Sequence, residues 1–308
     1  MKKVEKKVRK ILLVADRPGW VFHNRAKELM ALSSSNLQFD LEYRDKVTAK
    51  VKDQYDIIYA MSVGMAKTLH QKGIPLNKLA AGITSLRQFN RYKINKGTYS
   101  KEFLDFFTKL RGVNAFSDEC VQEFNKYRPI YKTRVGINKD LFKPSAANRS
   151  QKTFTAGWVG RIDGNAHRKL KGYDLVLSAK KELDIKLDIR TFTKNYVPKE
   201  AMVEFYQGLD CFICSSESEG LPNPVLEAGA CGVPIISTKV GIVPELIKPY
   251  ENGIIIQRNA SAIRDAIQYL IDNPNQRKSM GSSIRATILD QWTWDVCWKQ
   301  WEEFFTTI

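Results

Sequence analysis

The segment Cys214–Ser237 reads CSSESEGLPNPVLEAGACGVPIIS and constrains the fold more than any other part of the chain. Apolar residues at Asp210–Ser215 predict a buried strand before a loop, and Val233–Thr238 predicts a second strand after a helix. Glu219 lies in the loop, which contains glycine and proline, and we expect Glu227 in the first turn of the helix. The unit therefore brings two carboxylates and a helix N-terminus to one edge of a sheet.

These groups suit one kind of ligand. Backbone N–H groups at a helix N-terminus bind phosphate, because they are unpaired and lie at the positive end of the helix dipole. Carboxylates close by accept hydrogen bonds from sugar hydroxyls. Together they meet the needs of a nucleotide-sugar site. The alternative is a helix that carries one solvated and one capping carboxylate.

The motif is more specific than the spacing of two glutamates alone. Glu219-Gly220-Leu221-Pro222 is followed by Glu227-Ala228 and then by Cys231-Gly232-Val233-Pro234. This combination resembles the E-x7-E region of retaining glycosyltransferases of the family 4 type. The resemblance implies an α/β chain with the GT-B fold, in which two Rossmann-like domains with doubly wound parallel sheets face a cleft.

Short apolar runs alternate with helical patterns along the chain, which favours parallel sheets with crossover helices. In the first half the expected elements are strands at Val8–Ala15, Phe39–Tyr43, Ile57–Met61, Leu79–Ile83 and Val113–Ser117, and a helix at Asn24–Leu32. In the second half they are strands at Phe154–Val159, Leu187–Thr191 and Cys211–Cys214, and helices at Tyr173–Glu182 and Ala201–Leu209.

The junction between the two halves also resembles that of the family. Val135-Gly136-Ile137-Asn138 and Phe142-Lys143-Pro144 occupy the expected places, and the polar run Ser145–Lys152 predicts a linker. The chain of 308 residues is long enough for two cores. We therefore expect an acceptor-binding domain at 1–147, a donor-binding domain at 148–290, and at 291–308 an aromatic-rich helix that packs back on the first domain.

Two cations in the second half extend the resemblance. Gly160-Arg161 directly follows a strand, and Lys171-Gly172 precedes a helix. In the family such residues bind the donor diphosphate, where negative charge builds as the sugar bond breaks and fixed cations stabilise it. The alternatives are a surface ion pair for Arg161, and Lys169 in place of Lys171.

The resemblance also assigns the remaining roles at the donor site. Glu227 accepts hydrogen bonds from the nucleotide ribose, and Glu219 contacts hydroxyls of the donor sugar, so that Glu219 acts in catalysis together with Arg161 and Lys171. The donor is a UDP- or GDP-sugar, and configuration is retained because the acceptor attacks from the front face while the leaving phosphate helps to deprotonate it. Further backbone contacts to the donor come from Gly160, Gly220, Leu221, Pro222 and Asn223.

No metal and no separate cofactor are expected. The sequence contains no Asp-x-Asp motif and no His/Asp cluster with metal-ligand spacing. Cys211 and Cys214 form a C-x2-C pair without a second pair that would complete a zinc site, so we expect both in the core. Two carboxylates also suit a glycoside hydrolase, but the complete motif around them disfavours that interpretation.

The first acceptor-side candidates lie in the loop Asp16–His23. Gly19 permits close approach of the backbone, and His23 offers a polar ring. The alternative for Gly19 is a plain turn, and the alternative for His23 is an ordinary residue at the start of a helix. Many relatives carry a histidine near the reacting sugar where this chain has Thr84 and Ser85, so we expect a hydroxyl or the main chain to replace it.

Positive charge is concentrated in the first half of the chain. Residues 1–150 contain 30 lysines and arginines against 14 aspartates and glutamates, whereas residues 151–308 contain 19 of each, for a net charge of +16. The segment that contains Arg87 and Arg91 interleaves basic with aromatic residues, which is typical of sites for nucleic acid and for membrane surfaces. We expect an anionic acceptor, either a membrane-surface lipid or glycan or DNA; the alternative is a solvated basic face.

Five scattered cysteines argue against a disulfide framework and favour a cytoplasmic protein. The basic first half further suggests a peripheral position at the inner membrane surface. The lysine-rich N-terminus is expected to lead into a strand rather than to act as a signal peptide, because its apolar part, Ile11–Ala15, is short.

The expected function is transfer of a sugar from a nucleotide-diphosphate sugar to an envelope lipid-linked or cell-wall glycan. A close alternative is a DNA glycosyltransferase that acts on hydroxymethylated bases, in which the basic and aromatic residues hold phosphates and a flipped base. A third is a module that binds sugar nucleotides without turnover.

Overall fold

The computed structural model describes residues 8–95, 97–146, 153–191, 198 and 201–308. The chain divides into two compact units, of which the first comprises Met1–Val135 with Cys297–Ile308 and the second comprises Gly136–Val296. The linker predicted at Ser145–Lys152 falls mainly on residues 147–152, which lie outside the described residues, and the predicted domain boundaries stay predictions.

The first unit is built on a parallel sheet. Its strands are β1 (Arg9–Ala15), β2 (Leu37–Tyr43), β3 (Ile57–Ala60), β4 (Leu79–Ile83), β7 (Gly112–Ala115) and β8 (Tyr131–Lys132), and a separate antiparallel pair is formed by β5 (Lys93–Asn95) and β6 (Thr98–Tyr99). The strand order is β2-β1-β3-β4-β7-β8, and every pairing is parallel. All residues of β3, β4 and β7 are buried, as in sheets covered on both faces.

Helices connect these strands. They are α1 (Val21–Ala31), α2 (Val63–Gln71), α3 (Lys101–Thr108) and α4 (Asp118–Asn125), with 3-10 helices at Ala49–Asp53, Leu76–Lys78 and Leu86–Tyr92. Serine side chains cap three of the α-helices: Ser62, Ser100 and Ser117 accept from the N–H groups of Met65, Phe103 and Cys120.

The second unit contains another parallel sheet. Its strands are β9 (Thr155–Gly160), β10 (Lys186–Thr191), β11 (Cys211–Cys214), β12 (Ile235–Thr238) and β13 (Gly253–Ile256), in the order β10-β9-β11-β12-β13. The helices are α5 (Asn165–Lys171), α6 (Tyr173–Lys180), α7 (Met202–Gln207), α8 (Asn223–Ala230), α9 (Val243–Leu246), α10 (Ala260–Asp272) and α11 (Pro274–Gln291). The last helix, α12 (Trp294–Thr307), belongs to the first unit from Cys297 onward. The α/β fold with two parallel, Rossmann-like sheets is therefore confirmed.

The core of the second unit lies on both faces of its sheet. Cys211 and Ile213 pack in one apolar cluster, whereas Phe212 and Cys214 pack in the other, because successive side chains of a strand point to opposite faces. The two cysteines of the C-x2-C pair are thus core residues of β11. Among the described residues, no helix has the length and hydropathy needed to span a bilayer.

Aromatic residues of α12 pack within the first unit. The Trp301 ring is fully buried, lies 5.8 Å from that of Tyr59 and 5.9 Å from that of Phe116, and its N–H donates to the Arg134 carbonyl at 2.7 Å. A buried indole with a satisfied N–H is a packing residue. These aromatics are therefore not an exposed platform for stacking on bases.

One expectation for the donor segment is wrong. The first turn of α8 contains no acidic residue, and Glu227 lies one turn further along the helix. The helix begins at Asn223, close to Pro224, because proline is favoured in the first turn, where its missing N–H costs no hydrogen bond. Glu227 therefore lies inside the helix rather than at its N-terminal end.

Candidate functional site

The carboxyl edge of the second sheet collects the predicted donor residues. The chain places β10 on one side of β9 and β11 on the other, so the strand order reverses between β9 and β11. In open α/β sheets, ligands bind outside the carboxyl ends of the strands at such a reversal. Gly160 ends β9 and Arg161 follows it, while Glu219 follows β11.

Lys171 and Glu219 form an ion pair at this edge. The Lys171 ammonium contacts Oε1 of Glu219, and the Ser216 hydroxyl donates to the same oxygen at 2.7 Å. Their side chains are only 26% and 16% exposed, so the pair is shielded from water on most sides. Lys169, the alternative cation, is exposed. Lys171 is therefore the lysine that lies beside the glutamate.

Backbone contacts fix the position of Lys171 at the end of α5. The Ser215 hydroxyl donates to the Lys171 carbonyl at 2.8 Å, and the Glu217 N–H donates to the Leu170 carbonyl at 2.8 Å. Gly172 follows with a left-handed φ of 68°, and a Cβ there would collide with the Ser215 carbonyl. The end of the helix is thus held against the loop that carries Glu219.

Arg258 is a contributor that the sequence pattern did not indicate. It lies just after β13, its Nε donates to the Ser215 carbonyl at 3.1 Å, and its Nη2 donates to the Lys169 carbonyl. It therefore links the same two segments that carry Lys171 and Glu219. The only signal in the sequence was a cation at the carboxyl end of a strand.

Arg161 is engaged with a second acid that the sequence did not single out. Its Nε donates to Asp163 at 2.9 Å, and Nη2 contacts the other carboxylate oxygen. These hydrogen bonds lower the pKa of Asp163 to about 2. The pair is partly exposed, so a ligand diphosphate would compete with Asp163 for the guanidinium.

A buried tyrosine forms a hydrogen bond to the carboxylate of Glu227. The Tyr206 hydroxyl, on α7, donates to Oε2 of Glu227 at 2.6 Å. Burial raises the pKa of Tyr206 well above its ordinary value, and the neighbouring carboxylate raises it further. The hydroxyl therefore stays protonated and keeps donating, which orients the carboxylate.

At the start of α8, backbone N–H groups already form hydrogen bonds to carbonyls of the preceding loop. The N–H of Asn223 donates to the Leu221 carbonyl at 3.0 Å and that of Val225 to the Pro222 carbonyl at 2.9 Å, while Pro224 has no N–H. The first turn therefore offers a ligand mainly its dipole, rather than the unpaired N–H groups expected from the sequence.

Gly220, in this loop, packs against the turn that contains Gly241. The Gly220 carbonyl accepts from the Ile242 N–H at 3.2 Å. Gly241 has a φ of 50°, and a Cβ there would meet the Gly220 carbonyl. Gly241 is thus required for the close approach that shapes the loop from Glu219 onward.

Two of the acceptor-side candidates lie at the carboxyl end of β1 in the first unit. Gly19 has a left-handed φ of 74° in the turn before α1. His23, in the first turn of α1, places Nδ1 2.8 Å from the Tyr43 hydroxyl, and the two rings are stacked.

The other four candidates follow β4, two strands away in the sheet order. The Gln88 amide donates to the Thr84 hydroxyl at 3.2 Å and to the Ser85 carbonyl at 3.1 Å. Arg87 and Arg91 lie on the 3-10 helix Leu86–Tyr92. The residues lining a concavity of about 550 Å³ here are Ser85, Arg87, Gln88, Asn90 and Arg91. Gln88 and Asn90 were missed because no motif contains them.

In the part of the chain that the structure describes, no three His, Cys, Asp or Glu side chains converge in the way that a metal site requires.

Residues 179–287 match the family model described as Glycosyl transferases group 1. The chain is 25% identical over 179 residues to the capsular polysaccharide biosynthesis glycosyltransferase CapM of Staphylococcus aureus, a match that covers 50% of this chain and 46% of CapM. It is 33% identical over 78 residues to a GDP-mannose-dependent monoacylated alpha-(1-6)-phosphatidylinositol monomannoside mannosyltransferase of Corynebacterium glutamicum, covering 25% of this chain and 20% of that protein. The matches thus span less than half the length of both relatives.

Solved structures show the same fold over nearly the entire chain. Sucrose-phosphate synthase from Thermosynechococcus elongatus has a TM-score of 0.76 at 14% identity, with 97% of this chain and 98% of that chain covered. Anabaena HepE in complex with UDP and glucose has a TM-score of 0.74 at 14% identity, with 97% and 100% covered. The GT-B fold is therefore confirmed, and the resemblance to glycosyltransferases is confirmed at the level of group 1 for the matched segment.

The Arg161–Asp163 pair predicts a titration. Asp163 in the intact protein should titrate with a midpoint near pH 2, and in Arg161→Gln the midpoint should return to about 4. Because the folded pKa is the lower one, the stabilisation from this carboxylate is present above about pH 4 and is lost as the pH falls towards 2. Carboxyl ¹³C NMR checks this, and Arg168→Gln is the matched control. An unchanged Asp163 midpoint in Arg161→Gln would contradict the pairing.

Proposed function

We propose that this protein is a retaining glycosyltransferase of the family 4 type, which transfers a sugar from a nucleotide-diphosphate sugar to an anionic acceptor. The observation that carries the proposal is the Lys171–Glu219 pair at the strand reversal of the second sheet. The pair supports the proposal because a cation suits phosphate and a carboxylate suits sugar hydroxyls, and the two lie together here. The group 1 match overlaps this unit and includes both glutamates of the motif.

The donor nucleotide is bound through its ribose. Glu227 accepts hydrogen bonds from the ribose hydroxyls, and Tyr206 holds the carboxylate in the orientation that this requires. The base is uracil or guanine: HepE is known in complex with UDP and glucose, and the Corynebacterium relative is described as GDP-mannose-dependent. The backbone from Gly220 to Asn223, with that of Gly160, lies along the sugar and phosphates.

The diphosphate is bound by Arg161 and Lys171. Its charge competes with Asp163 for the guanidinium, and Lys171 bridges the phosphate and Glu219. As the bond from the sugar C1 to the phosphate oxygen breaks, negative charge grows on the diphosphate, and two positioned cations stabilise it. Side-chain cations supply this stabilisation without a metal.

Retention follows from attack on the face that the diphosphate leaves. The acceptor oxygen forms the new bond to C1, and its proton passes to the departing phosphate oxygen. Glu219 orients the sugar through its hydroxyls and forms no covalent bond to it.

The acceptor is an envelope glycan or lipid-linked sugar that binds to the basic first unit. The names of CapM and of the Corynebacterium relative refer to capsular polysaccharide and to a phosphatidylinositol mannoside. The net charge of the first 150 residues suits a phosphate-bearing partner. We place the reaction in the cytoplasm at the inner membrane surface, where anionic lipids attract basic protein surfaces.

Two variants test the ribose contact. Glu227→Gln should raise the Kd for the nucleotide sugar about 10- to 100-fold, because hydrogen bonds to a charged group contribute about 1.5–3 kcal/mol. Tyr206→Phe should raise it about 5-fold, since it removes only the hydroxyl that orients the carboxylate. Calorimetric titration with UDP- and GDP-sugars measures both, and Glu204→Gln, an exposed change on α7, is the control. A Kd in Glu227→Gln equal to that of the wild type would refute the assignment.

A panel of acceptors tests the choice of partner. We expect sugar transfer from the nucleotide sugar to membrane-extracted lipid-linked glycans, with nucleotide release that duplex DNA containing hydroxymethylated bases leaves unchanged. Transfer of the sugar to that DNA, with DNA-stimulated release, would replace the envelope acceptor by DNA. Binding of donor without release in any mixture would instead favour a non-catalytic module.

A further inference from the structure

The concavity of the first unit is shaped by a 3-10 helix. Leu86, Phe89 and Tyr92 are three residues apart, and in a 3-10 helix such side chains lie on one face. All three pack on the core of the first unit. Phe89 is fully buried, with its ring 4.4 Å from that of Phe124. The helix is therefore firmly anchored through one face.

The other two faces carry the polar residues in matched rows. Arg87 and Asn90 form one row, and Gln88 and Arg91 form the other, because each pair is also three residues apart. With Ser85 they line the concavity of about 550 Å³. Each row thus presents one guanidinium and one amide to the same open concavity.

Arg91 also lies against the start of α2. Its Nη2 is 2.7 Å from the point that a Cβ on Gly64 would occupy, in the first turn of the helix. That turn contains no acidic residue, so the positive end of the helix dipole adds to the guanidinium charge. In the described ranges, Arg87 and Arg91 form no ion pair with a carboxylate, and Arg91 lies 5.0 Å from the Tyr92 ring centre.

We propose that this concavity binds a sugar phosphate of the acceptor. The guanidinium groups of Arg87 and Arg91 bind the phosphate, for which planar, forked donors are well suited. The amide oxygen of Gln88, the amide of Asn90 and the hydroxyl of Ser85 bind the sugar hydroxyls, while the Gln88 amide N–H groups keep their bonds to Thr84 and Ser85. The inference rests on the proposed function, since it names the chemical class of the acceptor.

Binding of α-D-glucose 1-phosphate to the full chain tests this site. Amide NMR shifts of residues 85–92 report on the concavity separately from the donor unit. We expect these amides to shift with glucose 1-phosphate and hardly at all with glucose. Arg87→Gln/Arg91→Gln should weaken the affinity at least tenfold, whereas Lys50→Gln/Lys109→Gln, which removes two exposed charges of the same unit that do not line the concavity, should leave it unchanged. Equal affinities in both double variants would overturn the proposal.

A third variant tests the placement of Arg91 without removal of a charge. Gly64→Ala keeps the fold, because alanine favours helices and the atom it displaces is the end of a flexible side chain. It should move the guanidinium and weaken glucose 1-phosphate binding about 3- to 10-fold. An affinity equal to that of the wild type would contradict the role given to Arg91.

Two controls separate this inference from the proposed function. Nucleotide-sugar binding is measured on the same variants. If Arg87→Gln/Arg91→Gln binds the donor normally and its affinity for glucose 1-phosphate is unaltered, the sugar-phosphate site is refuted and the proposed function is not. A short DNA duplex at the same phosphate concentration is the second probe. Shifts of the 85–92 amides with duplex but not with glucose 1-phosphate would overturn the sugar-phosphate assignment in favour of nucleic acid.

Discussion

The contact between the end of α5 and the loop after β11 determines the geometry of the proposed donor site. It joins Lys171 to Glu219, which are 48 residues apart in the chain, on either side of the strand reversal. Hydrogen bonds from the Ser215 hydroxyl and the Glu217 N–H, together with the left-handed Gly172, fix the helix end that carries the lysine. A cation held in advance loses less conformational freedom when charge develops on a leaving group.

The fold could be predicted from the sequence because buried parallel strands are short apolar runs with helices between them. The proposed donor residues Arg161, Lys171 and Glu219 could be selected because each is directly next to a glycine in a pattern that resembles the family, namely Gly160, Gly172 and Gly220. Asp163, Tyr206 and Arg258 could not be selected from the sequence. Their hydrogen-bond partners are not indicated by any local sequence pattern. Tyr206 in particular resembles an ordinary core residue until its hydroxyl is seen 2.6 Å from Glu227.

The two expectations that differ from the structure have local causes. The start of α8 is set by Pro224, which moves Glu227 into the second turn, and the loop before it consumes the N–H groups that a free helix end would offer. A third feature could not be recognised in the sequence. Residues Leu86–Tyr92 form a 3-10 helix, and the alternation of basic and aromatic residues in this segment gave no indication of its period of three. The helix is anchored through Phe89, which is buried in the core of the first unit. Which faces carry the polar residues can therefore be recognised only once that packing is known.

In the proposed mechanism, Lys171 lies beside Glu219 and stabilises the charge on the leaving diphosphate. The most direct test is nucleotide-sugar turnover in Lys171→Met, with Lys169→Met as the control two residues away. We expect kcat to fall by a factor of about 10²–10³ in Lys171→Met, the size expected when one stabilising donor of a developing anion is removed, and to stay near normal in Lys169→Met. Normal turnover in Lys171→Met, or a loss confined to Lys169→Met, would contradict it.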